Sequence, residues 1–211
     1  MQKKGIYERR FKRPLDFTLA LFSLIVLIPL IIVISIIVRI KLGSPIIFKQ
    51  KRPGYKEKIF VLYKFRTMTD EKGKNGDLLP DSERLTKFGK FLRSTSIDEL
   101  PSLLNIISGK LSLVGPRPLA VKYLPFYTEY ERQRHLVRPG LSGLAQVNGR
   151  NSIKWEKKFQ YDINYAKNIT FKGDLKIIFK SLIKILSRQN IGERGISGHI
   201  DFDKYRERKL V

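Results

Sequence analysis

An uninterrupted apolar stretch near the N-terminus restricts the fold of this chain more than any other feature. No charged residue lies between Phe17 and Val38, and a run of this length is sufficient for a transmembrane helix. The run is also longer than the apolar region of a signal peptide, and no small-residue cleavage site accompanies it. We therefore expect this segment to be retained in a membrane.

Two features favour a helix that enters the membrane and returns to the same side. Pro29 lies near the middle of the run, where it removes a backbone donor and bends a helix. Both flanks are basic, and basic flanks prefer the cytoplasmic side. The basic residues are Lys3, Lys4, Arg9, Arg10, Lys12 and Arg13 before the run and Arg39, Lys41, Lys49, Lys51 and Arg52 after it. A kinked helix that spans the membrane once is the alternative.

The composition restricts the partners and the chemistry. The 42 Lys and Arg residues exceed the 19 Asp and Glu residues, and such an excess predicts a polyanionic partner: nucleic acid, anionic lipid or a phosphorylated substrate. The absence of cysteine excludes disulfides, thiolate metal sites and cysteine nucleophiles. With only His135 and His199, a zinc site is disfavoured, and any metal would be bound through oxygen.

Two adjacent carboxylates, Asp98 and Glu99, stand out in this basic chain. Neighbouring acids repel, which tends to raise the pKa of one of them, and Arg93 and Arg117 are candidates for keeping both ionised. Carboxylates in a basic setting suit two tasks. They hold a hard cation such as Mg²⁺, or they attack phosphorus as a nucleophile.

The same residues have a structural interpretation. Ser96 and Glu99 have the spacing of a capping box at the start of a helix, and acids in a first helical turn suit the macrodipole. The spacing alone favours the cap over catalysis.

A β-hairpin with cationic residues at its end is predicted after the apolar run. Residues Ile46 to Phe48 and Ile59 to Tyr63 form its strands, and Arg52 to Tyr55 supply the turn. Strand alternation places Lys64 and Arg66 on one face. They would bind an anion jointly there, or they lie at a solvated strand edge.

Two loops carry further candidate arginines. In residues 115–118 a proline on each side restricts the backbone of Arg117, which suits bidentate phosphate binding; a surface ion pair is the alternative. Residues 138–151 are rich in glycine and contain Arg138 and Arg150. Such a loop can approach a ligand closely, or it consists of ordinary turns.

Helices are expected over residues 121–137, from Lys154 onward and over residues 172–188. Asp162, in the second of these, is a candidate metal or ligand contact unless it pairs with a nearby Lys or Arg. The last helix is basic and amphipathic, which suits an anionic membrane surface; a core-packed helix with a solvated lysine face is equally consistent. Loose structure is expected after Gln189.

Several of these motifs together resemble a known family, the bacterial sugar transferases. These are the monotopic polyprenyl-phosphate phosphoglycosyl transferases, and this chain is most similar to their minimal form. The motifs that carry the resemblance, in order, are Lys51-Arg52-Pro53-Gly54, Tyr63-Lys64-Phe65-Arg66-Thr67-Met68, Ser96-Ile97-Asp98-Glu99-Leu100-Pro101, Gly115-Pro116-Arg117-Pro118, Arg138-Pro139-Gly140 and Val147-Asn148-Gly149-Arg150-Asn151.

The resemblance implies an enzyme that transfers a sugar 1-phosphate from a UDP-sugar to undecaprenyl phosphate and releases UMP. This is the first membrane step in building a glycan of a glycoprotein, capsule or O-antigen. The resemblance makes Asp98 the nucleophile, which forms a covalent phosphosugar, and Glu99 the ligand of the cofactor Mg²⁺. The expected substrate-binding residues are Lys64, Arg66, Arg93, Arg117, Arg138, Arg150 and Asp162.

The expected fold is α+β: mainly helical, with a small β-hairpin, an N-terminal re-entrant membrane helix and interfacial amphipathic helices. Residues 1–43 would form the basic segment and the re-entrant helix, 44–188 the cytosolic catalytic domain, and 189–211 a polar tail. The chain departs from the family at Ile28, which stands before Pro29 where the family has serine. One residue that assists the bend of the membrane helix is therefore missing. The expected location is the cytoplasmic face of the bacterial inner membrane, with its lipids and downstream glycosyltransferases as further partners.

Two other functions are compatible with parts of the sequence. Net charge alone suggests a membrane-tethered nucleic-acid-binding protein, but the basic residues are spread along the chain and no nucleic-acid-binding motif is present, so we expect no nucleic acid partner. A non-catalytic scaffold that recruits glycosyltransferases is the other alternative, and the intact Asp98-Glu99 pair argues against it.

Overall fold

The computed structural model describes residues 5–149, 153–187 and 200–210, and its architecture is α+β, as predicted. The α-helices are α1 (Lys12–Leu42), α2 (Asp81–Arg84), α3 (Lys87–Ser94), α4 (Leu103–Ile107), α5 (Glu129–Arg132), α6 (Leu144–Val147), α7 (Trp155–Lys167), α8 (Phe171–Leu186) and α9 (Phe202–Leu210). The strands are β1 (Ile47–Pro53), β2 (Ile59–Phe65), β3 (Ser112–Val114) and β4 (Gly140–Ser142). Short 3₁₀ helices cover Tyr55–Glu57, Ile97–Ser102, Val121–Phe126 and Gln133–Leu136, and a π-helical turn, Tyr7–Phe11, precedes α1.

The predicted β-hairpin is confirmed, with a different turn. Strands β1 and β2 pair antiparallel, with Ile47 opposite Phe65 and Pro53 opposite Ile59. Arg52 and Pro53, predicted as turn residues, therefore belong to β1, and residues 54–58 make the connection. The sheet has only two strands, so both are edges, where a proline removes no necessary ladder hydrogen bond.

A second sheet in the described residues joins the loop that carries Arg117 to the loop that carries Arg138. Strands β3 and β4 are parallel, with Val114 opposite Ser142. The contact leaves no room for side chains, because a Cβ on Gly115 would lie 2.4 Å from the carbonyl oxygen of Arg138 and a Cβ on Gly140 would lie 2.0 Å from the Gly115 nitrogen. The loops at residues 115–118 and 138–143 therefore meet backbone to backbone.

Helix α1 contains the apolar run and continues through Pro29. Its first half packs through Ala20 on a core cluster with Phe60, Leu62, Leu103, Ile106 and Leu111. Its second half packs through Ile34, Val38 and Leu42 on a cluster with Phe65 and Leu92. The large exposed apolar residues of α1 include Leu19, Phe22, Ile25, Val26, Ile28, Ile32, Val33, Ile36 and Ile40.

Within the described residues, the helical segment Tyr7–Leu42 alone is long and apolar enough to cross a membrane. Only 11% of its most apolar window is buried, which distinguishes it from the core helix of a soluble protein.

Polar contacts fasten the start of α1 to the rest of the protein. Arg13 donates to the carbonyl oxygens of Ile106 and Ile107 at 2.6 and 2.7 Å, at the end of α4. Lys12 Nζ lies 2.6 Å from the buried Asp174 carboxylate on α8. These contacts hold the N-terminal end of α1 against two different elements.

Helix α8 is apolar on two sides. Ile177 is buried in the core, so part of the helix packs as the core-packed interpretation predicted. A second row of large apolar residues is exposed, and it consists of Phe171, Leu175, Phe179, Leu182 and Ile183. This exposed row runs along a helix whose start contacts the start of α1.

The helix expected over residues 121–137 is divided into three short pieces. Thr128 begins α5 with a capping box, in which Thr128 Oγ1 accepts from the Glu131 amide and Glu131 Oε2 accepts from the Thr128 amide. An N-cap residue adopts extended backbone, so the preceding helical turn must end before it. The prediction of one continuous helix is therefore wrong.

The prediction of loose structure after Gln189 is wrong for residues 200–210, which end in helix α9. Phe202 is fully buried among Tyr123, Tyr127, Trp155 and Phe159, and Trp155 Nε1 donates to the carbonyl oxygen of Ile200 at 3.0 Å. Phe202 is the buried anchor of this packing, and Tyr205 contacts the same cluster.

Candidate active site

A sharp turn places the two adjacent carboxylates. Helix α3 ends at Ser94, Ser96 adopts a left-handed conformation with φ of 57°, and the 3₁₀ helix Ile97–Ser102 follows. A left-handed serine is uncommon and costs energy, so the surrounding structure must enforce it. The Ser96 side chain makes no capping hydrogen bond, and Glu99 points to cationic side chains instead. The capping-box interpretation is therefore wrong.

Glu99 is held by two cations through one oxygen. Lys64 Nζ donates to Glu99 Oε1 at 2.6 Å, and an Arg117 guanidinium nitrogen donates to the same oxygen at 2.7 Å. Burial raises the pKa of Glu99, but the charges of Arg117 and Lys64 outweigh it, and the pKa lies well below the usual range. Glu99 is therefore ionised at any physiological pH.

Asp98 differs from its neighbour. It is buried, and its carboxylate lies 3.9 Å from Lys64 Nζ. Burial and then the charge of Glu99 raise the pKa of Asp98 to about 6, while Lys64, Arg117 and Arg93 oppose the rise. A carboxylate with such a pKa is more basic than an ordinary aspartate and is still mostly ionised at neutral pH.

Two of the predicted substrate-binding arginines lie in other surroundings. Arg66 donates to the carbonyl oxygens of Ser44 and Met68 at 2.6 and 2.9 Å, and it pairs with Asp70 at 2.6 Å. Arg138 is exposed and donates to the Gly109 carbonyl oxygen at 3.1 Å. The structure thus brings Lys64, but not these two arginines, to the carboxylate pair. Arg150 lies outside the described residues.

Asp162 lies in the interior. It is 2% exposed, and its carboxylate accepts from Arg134 Nε and a terminal nitrogen at 3.0 and 2.8 Å. Asp162 therefore pairs with an arginine, as its second interpretation proposed. Arg134 was not predicted from the sequence. The signal that could have pointed to it is Asp162 itself, because an acidic residue on an otherwise apolar helix face needs a cationic partner.

The donor set for a metal is small. Within the described residues there is no group of three or more His, Cys, Asp or Glu side chains that could hold a metal ion. Mg²⁺ is commonly bound by one or two carboxylates together with substrate phosphates and water, and the Glu99 carboxylate is a hard oxygen ligand of this kind. Glu99 would fit Mg²⁺ if a phosphate-bearing substrate supplied further ligands.

The fold and the site together define a membrane-associated protein with a cationic site built around two unequal carboxylates. Residues 7–188 match the model of the family described as bacterial sugar transferase. The chain belongs to this family.

Individual relatives agree with the family. The chain is 50% identical over 194 residues to the uncharacterized sugar transferase EpsL of Bacillus subtilis, and the match covers 92% of this chain and 95% of EpsL. It is 40% identical over 184 residues to a UDP-glucose:undecaprenyl-phosphate glucose-1-phosphate transferase of Klebsiella pneumoniae, over 82% of this chain but 40% of that protein. The exopolysaccharide production protein ExoY of Sinorhizobium fredii is 35% identical over 188 residues, covering 81% of this chain and 83% of ExoY.

Proposed function

We propose that the protein transfers a sugar 1-phosphate from a UDP-sugar to undecaprenyl phosphate and releases UMP. The observation that carries this proposal is the difference between Asp98, whose pKa is about 6, and Glu99, which two cations keep ionised. The name of the Klebsiella pneumoniae relative describes a reaction of this type. The product would be the first membrane-bound intermediate of a glycan.

The reaction has two displacements. A carboxylate oxygen of Asp98 attacks the phosphorus that carries the sugar, and the bond from this phosphorus to the bridging oxygen breaks as UMP leaves with that oxygen. A phosphate oxygen of undecaprenyl phosphate then attacks the same phosphorus and displaces the Asp98 carboxylate. The lipid leaves as a diphosphate that carries the sugar, and Asp98 is regenerated.

The cations around the pair suit this chemistry. Lys64, Arg93 and Arg117 would bind the diphosphate of the donor and the phosphate of the acceptor, since both of these substrate groups are negatively charged. Fixed positive charges stabilise a transition state in which charge spreads over the phosphoryl oxygens. The raised pKa of Asp98 makes its carboxylate a stronger nucleophile than an ordinary aspartate.

We also propose Mg²⁺ as the cofactor, held by Glu99 and the donor diphosphate. When bound, it would neutralise the charge of the diphosphate. Glu99 would then exchange contacts with Lys64 or Arg117 for the metal, which frees a cation to bind phosphate.

The contacts of α1 support a re-entrant arrangement, and the basic flanks of the apolar run favour the cytoplasmic face. Arg13 at its start and Val38 near its end both contact the same domain. A straight α1 that spans the hydrocarbon, which is about 30 Å thick, would carry one end to the opposite side, away from that domain. The exposed apolar row of α8 would lie at the interface with inner-membrane lipids. Downstream glycosyltransferases would use the product.

The test is UMP release from a panel of UDP-sugars, with Mg²⁺ and with or without undecaprenyl phosphate. One UDP-sugar should give continuous UMP release in the presence of undecaprenyl phosphate. Without the lipid it should give a single turnover, because Asp98 traps the phosphosugar. Asp98→Asn should abolish both, while Asp77→Asn, in an exposed loop, should release UMP like the parent protein. Full activity of Asp98→Asn would exclude the covalent mechanism, and no release from any donor would contradict the proposed reaction.

A further inference from the structure

A buried arginine with no role in the proposed chemistry lies directly behind Arg117. Arg134 is 2% exposed, and besides its two contacts with Asp162 it donates to the backbone carbonyl oxygen of Arg117 at 2.7 Å. The rings of Tyr127 and Phe159 lie 5.9 Å from its guanidinium carbon. The guanidinium is therefore confined on several sides.

Stability alone does not account for this pair. A buried ion pair can often be replaced by apolar residues without loss of stability, because desolvation offsets the Coulombic attraction. The hydrogen bond to Arg117 is different, because an apolar side chain cannot make it. Arg117 precedes Pro118, which restricts its backbone to extended conformations. Fixing its carbonyl oxygen removes much of the remaining backbone freedom.

A histidine completes the contacts of this arginine. His135 Nε2 lies 3.3 Å from a terminal nitrogen of Arg134. A guanidinium only donates, so Nε2 is the acceptor and the proton is on Nδ1, which lies 3.2 Å from Glu57 at the hairpin connection. Burial lowers the pKa of His135 to about 3. The ring is therefore neutral at physiological pH, and this tautomer persists.

We propose that Arg134, oriented by Asp162 and His135, is a positioning residue that directs the Arg117 guanidinium onto Glu99. The inference rests on the proposed function and deepens it, since it explains how a loop residue is held at the site. Arg134 touches no reacting atom, and its effect passes through the backbone of Arg117.

The guanidinium of Arg117 provides a specific readout. It donates to Glu99 Oε1 at 2.7 Å, while Arg134 donates to the backbone carbonyl oxygen of the same residue. The side-chain ¹⁵N–¹H signals of Arg117, assigned with Arg117→Lys, report the contact with Glu99. If Arg117 is released from Glu99, these signals should move toward those of a solvated arginine, whereas a merely structural role of Arg134 would leave them unchanged.

The first test replaces both members of the buried pair, Arg134→Met with Asp162→Leu, so that no buried charge is left unpaired. We expect a folded protein whose kcat for UMP release falls on the order of a hundredfold. The side-chain signals of Arg117 should shift toward those of a solvated arginine. The matched control is Arg84→Gln, because Arg84 also binds a carboxylate, Asp81 at 2.6 Å, and a carbonyl oxygen, that of Leu79 at 2.8 Å. Arg84→Gln should leave the Arg117 signals unchanged.

Smaller changes test the same link if the double variant fails to fold. Arg134→Lys keeps the charge beside Asp162 but loses the planar fork that reaches two partners, and it should shift the Arg117 signals in the same direction. His135→Asn loses the acceptor at Nε2 and keeps a donor near Glu57, whereas His135→Gln keeps the acceptor. His135→Asn should therefore shift the Arg117 signals further than His135→Gln, and equal shifts would exclude an orienting role for His135.

A measurement without turnover separates this inference from the proposed reaction. The side-chain signals of Arg117 are recorded in the protein without substrates. If the parent protein releases no UMP, the proposed function fails, but shifted Arg117 signals in the Arg134 variants still support positioning. Unchanged Arg117 signals in a folded Arg134 variant overturn the inference.

Discussion

At the scale of single residues, Asp98 and Glu99 show how neighbouring groups of the same chemistry acquire different roles. Two cations share one oxygen of Glu99, whereas Asp98 is buried and keeps a pKa of about 6. The sequence identifies the pair through its motif. It does not reveal which acid is ion-paired, because Lys64 and Arg117 reach Glu99 only through folding.

A pH dependence follows for the free enzyme. Below pH 6 Asp98 is protonated and no longer a nucleophile, so kcat/KM should fall with an acidic limb near the pKa of about 6. Arg93 opposes the rise in that pKa, so Arg93→Gln should move the limb upward. Rate measurements across pH check this. Arg10→Gln, at an exposed position of the N-terminal turn, is the control, and a limb that does not move in Arg93→Gln would contradict this electrostatic account.

At the scale of elements, helices and strands with a regular apolar periodicity were predicted from the sequence, but the breaks within helical segments were not. Helices α7 and α8 and the β-hairpin were predicted from apolar spacing, because one buried face determines each of them. The division of residues 121–137 depends on the cap at Thr128. This cap is difficult to recognise in the sequence, because aromatic and charged residues are mixed around it. Helix α9 was missed because the partners of its packing residues lie far away in sequence: Phe202 and Tyr205 contact an aromatic cluster, and Arg206 pairs with Glu131.

The aromatic anchor of α9 leads to a stability prediction. Phe202→Ala should lower the free energy of unfolding by about 3 to 5 kcal/mol, because it leaves a cavity among buried rings. Thermal or denaturant unfolding of the detergent-solubilised protein measures this. Lys204→Ala, at an exposed position of the same helix, should have little effect, and equal stability of the two variants would show that α9 is not anchored by Phe202.

At the scale of the whole molecule, the apolar run and the charge of +23 predicted a membrane-associated protein with anionic partners. The α+β class also followed from the sequence. The packing of both halves of α1 on one domain did not follow, since no local pattern specifies which distant residues a helix contacts. That packing makes the topology of the membrane segment testable.

Single cysteines can report this topology, because the chain contains none. Arg10→Cys and Lys41→Cys mark the two flanks of the apolar run, and Lys74→Cys marks an exposed loop of the domain. If the segment is re-entrant, a membrane-impermeant maleimide should label none of them in intact spheroplasts and all three after permeabilisation. Labelling of one flank alone in intact spheroplasts would establish a single span.

The backbone contact between Gly115 and Gly140 also bears on how relatives can be recombined. The loops at residues 115–118 and 138–143 have no side chains between them that could adapt to a new partner. A chimera that takes one loop from a relative keeps the other unchanged, so any mismatch falls on the peptide groups themselves. For protein engineers the two loops therefore form one unit, which should be exchanged as a whole between relatives.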